Sequence, residues 1–149
     1  MVDCSYCHKG RAMTKQRTAL RQTALQKDSD AFEEALDECF RSDQLQGICD
    51  VLVEVLPEEW HFRHEDVVKA IQELRCDNAV LALERRALNC PQYLVWDENF
   101  ALARKCIWAL ADIGTEDAKK ALMRLSRCGI AVVEGFAQKR LDQWSSELA

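Results

Sequence analysis

WHFRHEDVVKAIQEL at residues 60–74 and WDENFALARKCIWAL at residues 96–110 repeat each other at a constant offset of 36 residues. Trp60 recurs as Trp96, and apolar residues return at helical spacing in both copies, while the polar residues between them differ. Self-similarity at a fixed period of this length is typical of stacked helical repeats. Each copy is followed by a polar turn and a second helical run, so we expect two antiparallel helices in each repeat. Trp108, within the second copy, is expected to be a core side chain.

The composition supports a nearly all-helical chain. Of 149 residues, 48% are hydrophobic, and only five are glycine and two are proline. This composition favours helices over strands or disorder. We therefore predict an all-α fold, a right-handed stack of antiparallel helix pairs in a single domain. The domain spans residues 1–149, with repeats at about 30–56, 60–89 and 96–126 and a capping helix at 129–147.

The third predicted repeat carries a family resemblance. Residues 106–122, CIWALADIGTEDAKKAL, contain an Ala-Leu pair, a small acidic turn, a glycine, an acidic pair, and then alanine and leucine. This order resembles HEAT repeats of the short bacterial kind. The match is good over 96–126, fair over 60–89 and weak over 30–56. The resemblance implies a HEAT-like α-solenoid that binds other proteins, because this fold serves adaptor, regulatory and inhibitory proteins alike.

The aromatic stretch 91–110 is similar to small bacterial HEAT-like proteins, some of which are immunity proteins of contact-dependent or polymorphic toxin systems. The resemblance implies inhibition of a toxin by occlusion of its active site. A cytosolic adaptor or regulatory subunit that uses the same surface is the alternative. An enzyme is a third possibility, but no nucleophile and base can be paired from their spacing.

Charge is distributed unevenly along the chain. Residues 28–66 hold 13 acids and two bases, whereas residues 1–27 hold one acid and six bases. A solvated helix face would account for an ordinary density of charge. Here some acids must be neutralised by the basic N-terminal helix, and the rest should attract a basic partner. Nucleic acid is not expected as a direct ligand of this face, because phosphate contacts require lysine and arginine. A nuclease toxin would be complementary to it.

Two loops combine aromatic side chains with acids, and they occupy equivalent places in successive repeats. We name residues 57–63 the first edge loop and residues 91–97 the second edge loop, and we expect them to lie side by side. Aromatic residues flanked by charge are common at the energetic centres of interfaces. The alternative is that Trp60 and Trp96 fold inward and seal the gap between repeats. The predicted partner-binding residues are Asp43, Asp50, Glu54, Glu58, Glu59, Trp60, His61, Tyr93, Trp96, Asp97 and Glu98.

No cofactor or metal is predicted. Cys4, Cys7 and His8 match the pattern of c-type haem attachment, but that attachment requires export and the N-terminus has no signal-peptide pattern. A zinc site made of Cys4, Cys7, His61 and His64 is chemically possible, although the two pairs are far apart in sequence. No apolar run has the length of a membrane span, so we expect no membrane association and a cytoplasmic protein. There, all eight cysteines should stay reduced.

Overall fold

The described part of the chain is mostly helical, as the composition predicts, and the predicted capping helix at 129–147 corresponds to a helix over Ala131–Leu148. The computed structural model describes residues 4–42, 45–97 and 100–148, and the side chains of residues 15–42, 45–97 and 100–144. The described residues form eight α-helices, two short 3-10 helices and no strands. The α-helices are α1 (Cys4–Gln26), α2 (Ser29–Arg41), α3 (Cys49–Val55), α4 (His64–Leu74), α5 (Val80–Leu88), α6 (Ala101–Ile113), α7 (Glu116–Leu125) and α8 (Ala131–Leu148). The 3-10 helices are Asp77–Ala79 and Gln92–Leu94.

Capping residues set several of the helix ends. Thr115 caps α7, because its side-chain oxygen accepts a hydrogen bond from the Ala118 N–H at 3.1 Å, and Gly114 ends α6 with a φ of 71°. Threonine at an N-cap and glycine in the left-handed conformation after a helix are both common at helix ends. The N-cap of α2 is Asp28, whose side chain accepts a hydrogen bond from the Ala31 N–H at 3.1 Å.

Helices that are close in the chain pack against each other, and α5 contacts α6 most extensively. The α4–α5 pair packs against the α6–α7 pair, with α4 against α6 and α5 against α7. At the N-terminal end, α1 packs against α2 and α3, and at the C-terminal end α8 packs against α6 and α7. A continuous hydrophobic core runs through these helices and includes Leu36 of α2, Leu52 of α3, Ile71 of α4, Leu110 of α6 and Leu122 of α7.

Trp108 is not a core residue, contrary to the sequence expectation. Its side chain is 40% exposed and lies under the guanidinium of Arg104, whose Cζ is 5.2 Å from the ring centroid. Ile107 and Leu110 of the same helix are fully buried instead. The repeat pattern therefore predicted correctly that α6 has a buried apolar face, but Trp108 does not lie on that face.

A disulfide joins Cys49, the first residue of α3, to Cys76 in the turn after α4. The two Cα atoms are 5.7 Å apart, and 27 residues separate the cysteines in sequence. The expectation that all eight cysteines stay reduced is wrong for this pair, because the packing of α3 against α4 brings them within bonding distance. Cys39 and Cys106 are buried free thiols, as expected. None of the described helices combines the length and the hydropathy needed to cross a membrane.

Candidate functional site

The two edge loops lie side by side, as predicted from their equal offset. The hydroxyl of Tyr93, in the second loop, accepts a hydrogen bond from the His64 N–H at 3.3 Å, directly after the first loop. The rings of Phe62 and Tyr93 also meet edge to face, with centroids 5.3 Å apart. One continuous surface therefore includes residues of both loops.

This surface exposes an unusual amount of apolar area. Trp96 is 77% exposed, Val95 63% and Phe62 60%, while Tyr93 is half-buried between them. The Trp96 indole is held by its Nε1–H, which donates to the Tyr93 carbonyl at 2.9 Å. We name Phe62, Tyr93, Val95 and Trp96 the edge patch. Clustered apolar side chains on a surface mark interaction sites far more often than single ones do.

Phe62 and Val95 were missed as binding residues, although both lie inside the predicted loops. The only indication in the sequence that they could bind a partner was that they lie close to Trp60 and Trp96. A loop has no helical or strand period, so its sequence does not show which of several adjacent apolar residues faces solvent.

Trp60 and His61 point inward. Trp60 is half-buried and packs edge to face on Phe32 of α2, with ring centroids 5.2 Å apart. His61 is fully buried. Its Nε2–H donates to the Val55 carbonyl at 2.7 Å, and its Nδ1 accepts from the Arg63 N–H at 3.2 Å. His61 is therefore a structural residue and not a contact for a partner.

Beneath the edge patch lies a buried polar network centred on His64. Its Nε2–H donates to the Glu58 carbonyl at 2.6 Å, and its Nδ1 accepts from the Tyr93 hydroxyl at 2.9 Å. The ring stacks on that of His61, with centroids 4.1 Å apart. Because His64 binds residues of both edge loops, it fixes the position of one loop relative to the other.

Arg86 of α5 completes the network. Its side chain is 6% exposed, and its guanidinium donates to Glu59 Oε1 and to the Asn89 carbonyl, each at 3.0 Å. Its Nε has no hydrogen-bond partner among the described residues. Arg86 thereby links the first edge loop to the end of α5 beneath the edge patch.

Burial and the nearby guanidinium determine the protonation of this network. Burial lowers the pKa of His64 to about 4, with further contributions from His61 and Arg86, and burial also lowers the pKa of His61. Both imidazoles are therefore neutral at neutral pH, as their hydrogen bonds require. Partial burial disfavours ionised Glu59, but its hydrogen bond and attraction to Arg86 outweigh this and lower its pKa.

Most acids of residues 28–66 are paired within the protein. Of the 12 acids in this segment that the structure describes, eight form ion pairs, and they share six bases, so the region keeps a negative charge. As predicted, the N-terminal helix supplies part of the neutralisation: Arg17 and Arg21 bind Asp50, and Arg21 Nη1 binds Glu54 Oε2 at 2.8 Å. The hydrogen bond from Arg17 is the main cause of the lowered pKa of Asp50.

The remaining predicted acids have different environments. Glu58 is exposed, and no ion pair involving its carboxylate is found among the described side chains. Asp97 is half-buried, and its Oδ2 accepts from the Ala101 N–H at 3.1 Å at the start of α6. Asp43 and Glu98 lie outside the described residues. Of the predicted site, Glu58, Glu59, Tyr93, Trp96 and Asp97 thus remain on or beside the edge patch.

The alternative zinc site finds no support in this geometry. Both ring nitrogens of His61 and of His64 are engaged in hydrogen bonds. Within the part of the chain that the structure describes, no group of three or more potential ligands is placed to hold a metal. The side chains of Cys4 and Cys7 are outside that part.

A scan against protein-family models and searches of curated proteins and of solved structures found no match to this chain. The fold and the edge patch define this chain as an all-helical protein with an exposed apolar surface formed by two neighbouring loops.

Proposed function

We propose that this chain is a non-catalytic protein-binding module, built as a HEAT-like right-handed stack of antiparallel helix pairs. The pairwise packing of α4 on α6 and of α5 on α7 supports the stack, since successive repeats of an α-solenoid contact each other in this way. A basic helix precedes the stack and α8 caps it.

The observation that carries the proposal is the exposure of the edge patch on a rigid base. Trp96 and Phe62 present large aromatic faces to solvent, while His64 and Arg86 hold both loops from below. Rigid aromatic side chains contribute most to interface energies, because they bury a large area and lose little conformational entropy. A surface that served only to cover the core would leave less of these rings in water.

The proposed partner is a basic protein, in the most specific form a secreted nuclease toxin that this immunity protein neutralises by covering its active site. The net negative charge of residues 28–66 supports a basic partner, because charge complementarity speeds association. Glu58 and Glu59 carry this charge up to the edge patch, whereas Asp50 and Glu54 serve mainly to bind α1 to α3. No direct contact with nucleic acid or membrane is part of the proposal.

Co-expression tests the proposal. The toxin domain encoded beside this gene should stop growth of a host cell when expressed alone and be tolerated together with this chain. Trp96→Ala should weaken binding to that domain at least about a hundredfold, as expected for a central aromatic residue. Trp108→Ala, which truncates an exposed tryptophan on another surface, is the matched control and should bind like the parent.

Two results would contradict the proposal. Equal binding by the parent and Trp96→Ala would exclude the edge patch, and the absence of any protective effect would favour the adaptor alternative. The proposed compartment is the cytoplasm. Because disulfides are rare there, the Cys49–Cys76 bond makes fractionation of the native host a direct test of that compartment.

A further inference from the structure

An apolar cavity of about 140 Å³ lies behind the second edge loop. The end of α5, the second edge loop and the first turn of α6 form its walls. Ala87, Leu102 and Ala103 line it and are almost fully buried, whereas Val95 and Cys90 line it and are exposed. The cavity therefore opens to solvent beside the edge patch, to which Val95 also belongs.

The volume restricts what can enter. Pockets for metabolites and drug-sized ligands usually have volumes of about 300–1,000 Å³. An apolar cavity of about 150 Å³ in a protein core binds benzene. The cavity here thus has room for one aromatic side chain and not for a larger molecule.

The charges around the cavity favour a basic segment next to that side chain. Arg86 lines the cavity, but its guanidinium is already bound to the Glu59 carboxylate at 3.0 Å. Asp97 lines the cavity as well, and its Oδ2 accepts a hydrogen bond from the Ala101 N–H at 3.1 Å. Glu58 and Glu59 are exposed and extend the negative charge of residues 28–66 to the edge patch beside the cavity, so lysine or arginine of a partner would be attracted to this place.

We propose that the cavity receives one phenylalanine side chain of the basic partner, flanked in the partner's sequence by lysine or arginine. This inference rests on the protein-binding function proposed above and names the anchor by which the partner docks. An apolar side chain inserted in a pocket beside exposed aromatic residues is a common centre of binding energy.

Two tripeptides test the cavity with the chain alone, acetyl-Arg-Phe-Arg-amide and acetyl-Arg-Ala-Arg-amide. In two-dimensional ¹H–¹⁵N NMR titrations, the phenylalanine peptide should shift the backbone amides of Leu102 and Ala103. It should also bind at least about tenfold more tightly than the alanine peptide, because burial of the ring is the difference between them.

A matched pair of variants locates the binding. Ala101→Leu adds three carbons to a half-buried residue that lines the cavity. It should weaken binding of the phenylalanine peptide about tenfold or more. Ala111→Leu makes the same change at a half-buried residue of α6 outside the cavity and should leave binding unchanged.

Protection of Cys90 gives a second measurement that needs no variant. The phenylalanine peptide should slow alkylation of this exposed thiol, followed by peptide mass spectrometry, and the alanine peptide should not. Equal affinities of the two peptides, or unchanged Cys90 alkylation, would overturn the cavity assignment. Both measurements use the chain alone, so their failure is distinct from failure of the toxin co-expression test.

Discussion

Reduction of the Cys49–Cys76 disulfide should lower the free energy of unfolding by about 3.5 kcal/mol. The bond closes a loop of about 27 residues, from the start of α3 to the turn after α4. In the chain-entropy description, a cross-link across a loop of that length removes about 12 cal/mol/K from the unfolded state, which gives about 3.5 kcal/mol at room temperature. Since the free energy of unfolding of native proteins is about 5–15 kcal/mol, this single bond supplies a considerable part of the stability.

The assay is urea unfolding of the same protein with and without a reductant. The midpoint should fall by about 2 M in the reduced sample, if the free energy changes by about 2 kcal/mol per molar urea. Cys49→Ala already lacks the bond, so reductant should not change its midpoint. Cys90→Ala removes an exposed free thiol instead, and it should respond to reductant like the parent.

Two results would refute this reasoning. Identical unfolding curves for the oxidised and reduced parent would show that the bond contributes no stability. Alkylation of both Cys49 and Cys76 in the oxidised protein, found by mass spectrometry of its peptides, would show that the bond does not form.

Four further predictions concern the network and the surfaces around it. Tyr93→Phe removes the hydroxyl that binds His64 and should cost about 1 kcal/mol in urea unfolding while leaving the half-buried ring in place; an unchanged midpoint would contradict this. The pKa of His64 is 6.5 in the unfolded state and about 4 in the folded state, so between these values a proton binds the unfolded state only. The free energy of unfolding should therefore fall by about 2 kcal/mol from about pH 7 to 5. His64→Gln should make this decrease smaller in unfolding curves. Trp108→Ala should cost about 1 kcal/mol or less in thermal unfolding, whereas Ile107→Ala should cost about 2–5 kcal/mol, and the reverse order would refute the assigned burial. Glu58→Lys should slow association with a basic partner at low salt without changing stability by more than about 0.5 kcal/mol. Association rates from stopped flow that depend neither on salt nor on the substitution would contradict the electrostatic argument.

The sequence by itself determined the helices and the side-by-side position of the two edge loops. Apolar residues at helical spacing identify each helix locally, because only one face of a helix packs against the core. The loops were expected to be adjacent because Trp60 and Trp96 occupy the same place in successive repeats, and the contact between Phe62 and Tyr93 confirms it. The participation of the basic first helix in neutralising the acids could also be predicted, since residues 28–66 contain too few bases of their own.

Only the tertiary structure decided which loop residues face solvent and which groups are paired. Trp60 and Trp96 are equivalent in the repeat, yet Trp60 packs on Phe32 whereas Trp96 is largely exposed. The reason is that α2 lies beside the first loop, and this depends on how distant segments pack and not on the local pattern. The same holds for the disulfide and for the ion pair between buried Arg86 and exposed Glu59, because each joins residues 27 positions apart that only the packed helices bring together.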